Sequence, residues 1–398
     1  MGRFVNSGNS AFQVALNSEI YVDKTGLLAY TNKVMDTTAK FICNSRPRRF
    51  GKSITADMLT AYYCKGCSSE EMFSSLEIGQ APGFTKYLNQ YDVIRINMQE
   101  FLSQTKNIYE LLDRMKRLVL RDLKREYPNV DYFDDTDLIE SMQDVYQETN
   151  CPFVVIIDEW DCVFREYQQD KKAQEEYLDF LRDFLKDKVY VALAYLTGIL
   201  PIKKYGTQSA LTDFTEFTML EPGPLAPYVG FTEDEVKKLC TGHHMDYEEM
   251  RRWYDGYYFD EIGHVYNPNS VIKAVFCGKY SNYWTQTETY ESLRIYIDLN
   301  FDGLKECLVD MLGGKRCRVD IGSFQNDMTS MKSRDDVLTL LVHLGYLGYD
   351  ADNKEVYIPN EEIREEFIRA IKNGRRQELV KAIQLSDHLL KATINLHY

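Results

Sequence analysis

No run of apolar residues in this 398-residue chain approaches the roughly 18 needed to cross a bilayer, and the opening MGRFVNSGNS has no apolar core of a secretory leader. Asn6 also breaks the myristoylation pattern that Met1-Gly2 begins. A soluble, cytoplasmic protein with no membrane partner is therefore expected. Positive charge is in deficit: 47 Lys and Arg face 61 Asp and Glu, a formal charge of −14, which argues against a protein that coats nucleic acid non-specifically. The nine cysteines are odd in number and scattered, as in a reducing compartment. The single close pair, Cys64 and Cys67, lacks the second pair or the histidines of a zinc site, and it reads as unconnected core or surface thiols. His243 and His244 are adjacent and cannot share a helix face, and no serine or cysteine sits in a nucleophile-elbow setting.

What is present begins at Phe41–Tyr63, FICNSRPRRFGKSITADMLTAYY, which reads as a short apolar strand, a tight basic turn and a helix. Gly51 lets the backbone approach phosphate oxygens, Lys52 supplies an ammonium, and Ser53 supplies a hydroxyl suited to magnesium. A helix starting here turns its free amide donors and its dipole toward the anion. The full pattern G-x-x-x-x-G-K-[ST] places glycine where this chain has Arg46. Ile54, Met58, Leu59 and Tyr62 have helical spacing, and Arg46, Arg48, Arg49 and Lys52 concentrate positive charge in an acidic protein. The candidate nucleotide cradle is therefore Arg46, Pro47, Arg48, Arg49, Phe50, Gly51, Lys52, Ser53 and Ile54. The competing reading is a basic surface turn before a helix.

The length prior is two or three domains, and a hydrophobic fraction of 44% suits a globular protein with a sizeable core. Near the start, Asp23 or Thr25 is read as the cap of a helix carrying Leu27, Leu28 and Val34. A second strand is expected at 91–99, a long amphipathic helix at 104–126, and a continuous apolar strand at 153–157 that ends in Asp158-Glu159-Trp160-Asp161. A helix at about 173–187 leads to a further buried strand from Val189 to Leu196, ending at Thr197-Gly198. Strands that alternate with helices imply a parallel sheet covered on both faces, with ligands at the strands' carboxyl ends. Pro222, Pro224 and Pro227 mark a composition break. The expected domains are thus a core over 1–221, a helical lid region over 222–290, and a helical, winged-helix-like module over 291–398. That module is suggested by VLTLLVHLGYLGYDADNKEVYIPN, a helix followed by two short strands.

A phosphate loop needs a carboxylate to hold magnesium, and Asp158 at the end of a buried strand is placed for it. Ser53 and Asp158 are the candidate metal residues, Lys52 neutralises the β- and γ-phosphates, and Glu159 orients or deprotonates the attacking water. The strand at 91–99 fits the arrangement in which the catalytic glutamate lies one strand removed from the phosphate-loop strand. Thr197 is read as a sensor of the γ-phosphate or as a buried turn threonine; Asp161 as a contact to the metal shell or to a basic loop residue, or as a helix cap. No arginine finger is identified; Arg46, Arg48, Arg251 and Arg252 are the candidates. Trp253, Tyr254, Tyr257, Tyr258 and Phe259 read as an aromatic core cluster before an adenine stack. Residues 291–398 hold 15 Lys and Arg against 18 Asp and Glu, a net of −3, so a protein partner is favoured over nucleic acid for that module.

In their order and spacing, YVDKT at 21–25, RPRRFGKS at 46–53, VVIIDEWD at 154–161, LTG at 196–198, GFTEDEV at 230–236, WYDGYYF at 253–259 and YNPNS at 266–270 resemble the bacterial and archaeal AAA-ATPase-like family. Its members often end in a PD-(D/E)XK nuclease-like domain. The resemblance, over about residues 10–370, implies an α/β P-loop NTPase core of the additional-strand, catalytic-glutamate type, then a helical lid and a winged-helix element. It also implies ATP with magnesium as ligands and makes Arg46 the family's own variant of the loop. No aspartate followed by a strand-borne Glu-x-Lys is found in the C-terminal segment, so no nuclease activity is expected. The chain stops about where that domain is expected to begin, as a truncated form or a natural form without it. The expectation is an ATP-binding protein and Mg-dependent ATPase acting as a nucleotide-driven switch. Its rivals are a nucleotide-gated scaffold without hydrolysis and a DNA-binding regulator.

Overall fold

Strands in which every residue is buried have to lie inside a sheet covered on both faces, and Phe41–Ser45 (β1), Phe153–Asp158 (β3) and Val191–Gly198 (β4) are of this kind. Asp92–Asn97 (β2) carries Arg95 and Asn97 half-buried and lies at one side. The order is β2-β3-β4-β1, followed by a short strand at Thr215–Phe217, and every pairing is parallel. In this computed structural model residues 2–202, 204–205, 208–209, 211–284, 301, 303–325 and 331–372 are described. They form two units: one of Met1–Pro47, Gly51–Val229 and Gln325–Thr329, the other of Arg48–Phe50, Gly230–Phe324 and Ser330–Tyr398.

The expected strands and helices of the first unit are present, with helices at Lys52–Tyr63, Ile108–Glu126 and Lys171–Leu185. One strand does separate β1 from β3, but it is β4 and not the strand of 91–99. The reason is side-chain character: β4 is buried at every position and suits the middle, whereas β2 presents a charged arginine. The strand Thr215–Phe217 has no apolar run to announce it and pairs with β1 through Ile42, Cys43 and Asn44.

Alternation along each strand divides the core into two layers. Phe41, Ile94, Ile96, Val155, Ile157 and Leu196 pack with the helices at 108–126 and 171–185. Ile42, Val93, Val154, Ile156, Leu193 and Tyr195 pack on the other side with Leu59, Tyr62 and Tyr63 of the helix Lys52–Tyr63. Each fully buried aliphatic side chain contributes about 1.5–3 kcal/mol, so these layers hold the carboxyl ends of β1, β3 and β4 in fixed register. Asn44 pairs with Thr197, and Thr197 with Asp158. Among the described residues no helix is long and apolar enough to cross a membrane.

In the second unit the segment read as helical also carries strands. Helices at Glu233–Gly242, Tyr247–Tyr254 and Pro268–Cys277 accompany an antiparallel sheet of Phe231–Thr232, Gly263–Tyr266 and Tyr257–Phe259. The helix stops before Gly256, whose φ of +118° no other residue takes easily and where a Cβ would lie 2.0 Å from the Pro359 carbonyl oxygen. WYDGYYF is thus a helix end, a turn and a strand. The helix Arg334–His343 precedes strands at Gly348–Asp350 and Glu355–Tyr357, as expected, and Cys317–Arg318 adds a third strand. Cys307 and Cys317 are joined as a disulfide, where free thiols were expected. The helix Leu304–Leu312 and the strand Cys317–Arg318 bring their Cα atoms within 5.9 Å, which the sequence does not signal. Of the module placed at 291–398, residues 291–300, 302, 326–330 and 373–398 lie outside the described residues.

A buried carboxyl ties this unit together. Glu362, 1% exposed, accepts hydrogen bonds from Ser270 Oγ (2.9 Å) and from the amides of Tyr283 (2.7 Å) and Trp284 (2.8 Å). Burial nevertheless pushes its pKa from 4.5 up to about 7, against the pull of those donors. A carboxyl whose folded pKa is raised stabilises fully below its unfolded value, and that stability is lost as pH rises through the folded one. Stability of this unit should therefore fall by roughly 3 kcal/mol between about pH 4.5 and pH 7. Denaturant titrations at stepped pH, followed by tryptophan fluorescence, should show this slope in the native protein and a flatter one in Glu362→Gln.

Candidate functional site

The site lies at the carboxyl ends of β1, β3 and β4. Gly51 caps the helix Lys52–Tyr63 with φ +92°, a left-handed turn that favours glycine, and a Cβ there would meet open space. The first amides of that 12-residue helix have no partner within it, so the helix start offers donors to an anion. Lys52 is buried and donates from Nζ to the Pro47 carbonyl at 2.9 Å. Burial pulls its pKa down, while Glu159, Asp161 and Asp158 pull it up. A phosphate group beside this ammonium would supply the negative charge that stabilises it when buried.

Ser53 is exposed on the first turn, and its hydroxyl donates to Asp158 Oδ2 at 2.8 Å. Asp158 is fully buried at the end of β3; its Oδ1 accepts from the Glu159 amide at 3.0 Å. A hydroxyl and a carboxylate facing each other across the phosphate loop make a donor set of the kind magnesium uses together with water and phosphate oxygens. Those two residues fit that ion. Arg95 of β2, which the sequence reading passed over, donates to both Asp158 Oδ2 and Asp57 Oδ1 at 3.2 Å. It offsets the charge of Asp158, and one sign of it was available: an arginine between two isoleucines in the middle of a strand.

Glu159 takes φ +53°, a left-handed conformation costing about 1–3 kcal/mol for a residue with a side chain. Burial pushes its carboxyl up, Lys52 pulls it down, Asp161 pushes it up, and Arg165 pulls it down. Arg165 is the second residue the sequence reading missed. Its guanidinium pairs with Glu159 and, through Nε at 3.2 Å, with Asp161. Burial works against the charge of Arg165, but Asp161 and Glu159 outweigh it. The only sequence signal was the four-residue spacing from Asp161, one helical turn.

Asp161 is a fastener. Fully buried, its Oδ2 accepts from the amides of Ile199 (3.2 Å) and Leu200 (2.9 Å) as well as from Arg165. Thr197 is buried beside it; its hydroxyl donates to the Asn44 carbonyl at 3.0 Å and so joins β4 to β1. The remaining predicted residues are more spread out. Arg46 is fully buried and donates to the carbonyls of Ser45 (2.9 Å) and Phe217 (3.1 Å). Arg48 and Ile54 are exposed. Within the second unit Phe50 packs edge-on against Tyr257 at 5.5 Å, and Arg49, at φ +67°, donates to the Trp284 carbonyl at 3.3 Å. Arg251 and Arg252 pair with Asp255 and Glu249 of their own unit.

Gly198 makes room for this arrangement. A Cβ there would lie 2.4 Å from Asp161 Oδ1 and 2.8 Å from Trp160 Cδ1. Both are parts of well-held side chains, so Gly198→Ala should cost about 1–3 kcal/mol by overpacking. The denaturation midpoint should drop accordingly, whereas Gly242→Ala, at a position where a Cβ meets open space, should leave it within about 0.5 kcal/mol.

A protein of Azotobacter chroococcum mcd 1, described as an uncharacterized protein in the vnfD 5' region, is 26% identical over 281 residues, covering 68% of this chain and 51% of its own. The chain thus spans about half the length of that curated relative. The Aeropyrum pernix ORC2 protein, solved in ADPNP-ADP complexes, covers 90% of this chain and 97% of its own with 12% identity and a TM-score of 0.36. C. elegans PCH-2 covers 92% and 72% with 11% identity and a TM-score of 0.27. Both likenesses are too loose to bear on this chain's fold or function. The family model described as a predicted AAA-ATPase matches residues 8–207, which hold the phosphate loop, the Asp158-Glu159 turn and Thr197. By that match, over half of its length, the chain belongs to the AAA-ATPase-like family.

Proposed function

We propose that this protein binds ATP with magnesium and hydrolyses it, and that the change of nucleotide state is a switch read by a protein partner. The observation that carries this reading is the hydrogen bond of 2.8 Å from Ser53 Oγ to Asp158 Oδ2, one residue from the buried ammonium of Lys52. In this reading the amides at the start of the helix Lys52–Tyr63 and the Lys52 ammonium hold the phosphates, and Ser53 with Asp158 holds the ion. Magnesium, held there by Ser53 and Asp158, would neutralise charge on the phosphates. Glu159 orients a water and takes its proton as the oxygen attacks the γ-phosphorus and the bond to ADP breaks. Thr197 holds the end of β4 at the level of Asp158, where a shift of β4 registers the γ-phosphate.

A second reading has support of its own. Glu159 is ion-paired with Arg165, which occupies the carboxylate a hydrolytic base needs free. That favours a nucleotide-gated scaffold, or an ATPase whose base is released only when a partner engages. In either case the helix Arg334–His343 with its following strands supports a winged-helix-like element, and its acidic balance suits protein contact.

Phosphate release and nucleotide affinity, measured on the native protein, Lys52→Ala and Glu159→Gln, separate these readings. Hydrolysis predicts release by the native protein, loss of both binding and release in Lys52→Ala, and retained binding with release reduced about 10²-fold or more in Glu159→Gln. Binding without release in the native protein moves the function to the scaffold. Absence of binding removes both.

A further inference from the structure

The far end of the phosphate-loop helix holds a second arrangement of reactive groups. Cys64 is the C-cap of Lys52–Tyr63, its amide donating to the Thr60 carbonyl. Its own carbonyl accepts from the Cys67 amide at 3.4 Å, and Gly66 between them has φ +81°. Those features define a type II turn, with glycine at the position that demands a left-handed backbone. Such a turn holds its first and last Cα atoms within about 7 Å, and a disulfide needs roughly 4.4–6.8 Å. The backbone therefore already brings the two cysteines to bridging distance.

The Cys64 thiol faces the turn itself, its Sγ donating to the Lys65 carbonyl at 3.5 Å. The neighbouring Cys67 thiol pushes the Cys64 thiol up, with burial adding to it, and the Cys64 thiol in turn pulls that of Cys67 down against its burial. Cys64 is buried and Cys67 half-buried, so the sulfur that ionises more readily is also the one a reagent can reach. The turn is fastened independently of its sulfurs: Asn89 Nδ2 donates to the Cys64 carbonyl at 2.9 Å and the Lys65 amide to the Tyr91 carbonyl at 2.8 Å. Closing the bond leaves these anchors intact.

We propose that Cys64 and Cys67 form a reversible disulfide by exchange with a low-molecular-weight disulfide, making a redox-sensitive clasp across the turn that ends the phosphate-loop helix. Cys67, having given its proton to solvent, attacks one sulfur of the reagent; the reagent's sulfur–sulfur bond breaks and one thiol leaves. Cys64 then loses its proton, attacks the Cys67 sulfur and expels the second thiol. Two protein thiols are oxidised and one external disulfide is reduced. Nothing in this step depends on ATP hydrolysis.

The test uses oxidised glutathione on the whole chain, alkylation of the remaining thiols, and trypsin digestion without reduction. Cleavage after Lys65 leaves peptides 53–65 and 66–86 joined only by the new bond. The linked pair is expected to form and to vanish with dithiothreitol. In Cys67→Ser, checked for an unchanged melting temperature, the link is expected to be absent and Cys64 to carry no glutathione. Three results overturn the proposal: both cysteines alkylated while exposed Cys277 is glutathionylated, a glutathione adduct that persists on Cys67 without the link, or glutathione on Cys64 in Cys67→Ser. If that variant melts early, the native protein's peptides still decide between link and no link.

Discussion

The bond from Ser53 to Asp158 is possible only because two chain segments 105 residues apart end at the same level. Parallel pairing sets that level. Asn44 sits opposite Thr197, Thr197 opposite Asp158, and the helix that carries Ser53 starts beyond β1. Two apolar layers, one on each sheet face, hold the register, and a slip of one residue would turn Asp158 to the wrong face. The chemistry at the tip thus depends on burial many ångströms away.

Charges at the tip are balanced rather than left bare. Asp158 has Ser53 and Arg95, Asp161 has two amides and Arg165, and Glu159 has Arg165 with Lys52 nearby. A buried acid without such partners would cost several kcal/mol. The same pairing gives the site two states in principle, since any group that takes Lys52 or Arg165 changes what Glu159 faces. The left-handed backbone at Glu159 adds a small strain where the side chain has to be aimed.

Much of this was legible in the sequence for a physical reason. Strands buried on both faces are mainly apolar, so β3 and β4 announce themselves, β1 does so through Phe41, Ile42 and Cys43, and Gly51-Lys52-Ser53 and Asp158-Glu159 follow at the strand ends. Strand order did not follow, because it is fixed by pairing between distant segments; β4, and not the strand of 91–99, lies between β1 and β3. Thr215–Phe217 has too few residues to show a pattern. Arg95 and the role of Asp161 were hidden because their partners come from other elements, and Arg165 because only its four-residue spacing from Asp161 marked it. The strands within 222–290 were masked by an aromatic run, WYDGYYF, that suits a helix or a strand until Gly256 interrupts it. The pairing of Cys64 with Cys67 needed the turn geometry at Gly66, which spacing alone does not supply.

The central claim is that Ser53 and Asp158 jointly hold a magnesium ion on a bound nucleotide. Calorimetric titration of ATP, once with magnesium and once with a chelator, into the native protein and Ser53→Ala tests it most directly. The account predicts tighter binding with magnesium in the native protein and loss of that gain in Ser53→Ala. An equal gain in both, or binding that ignores magnesium in the native protein, would contradict it.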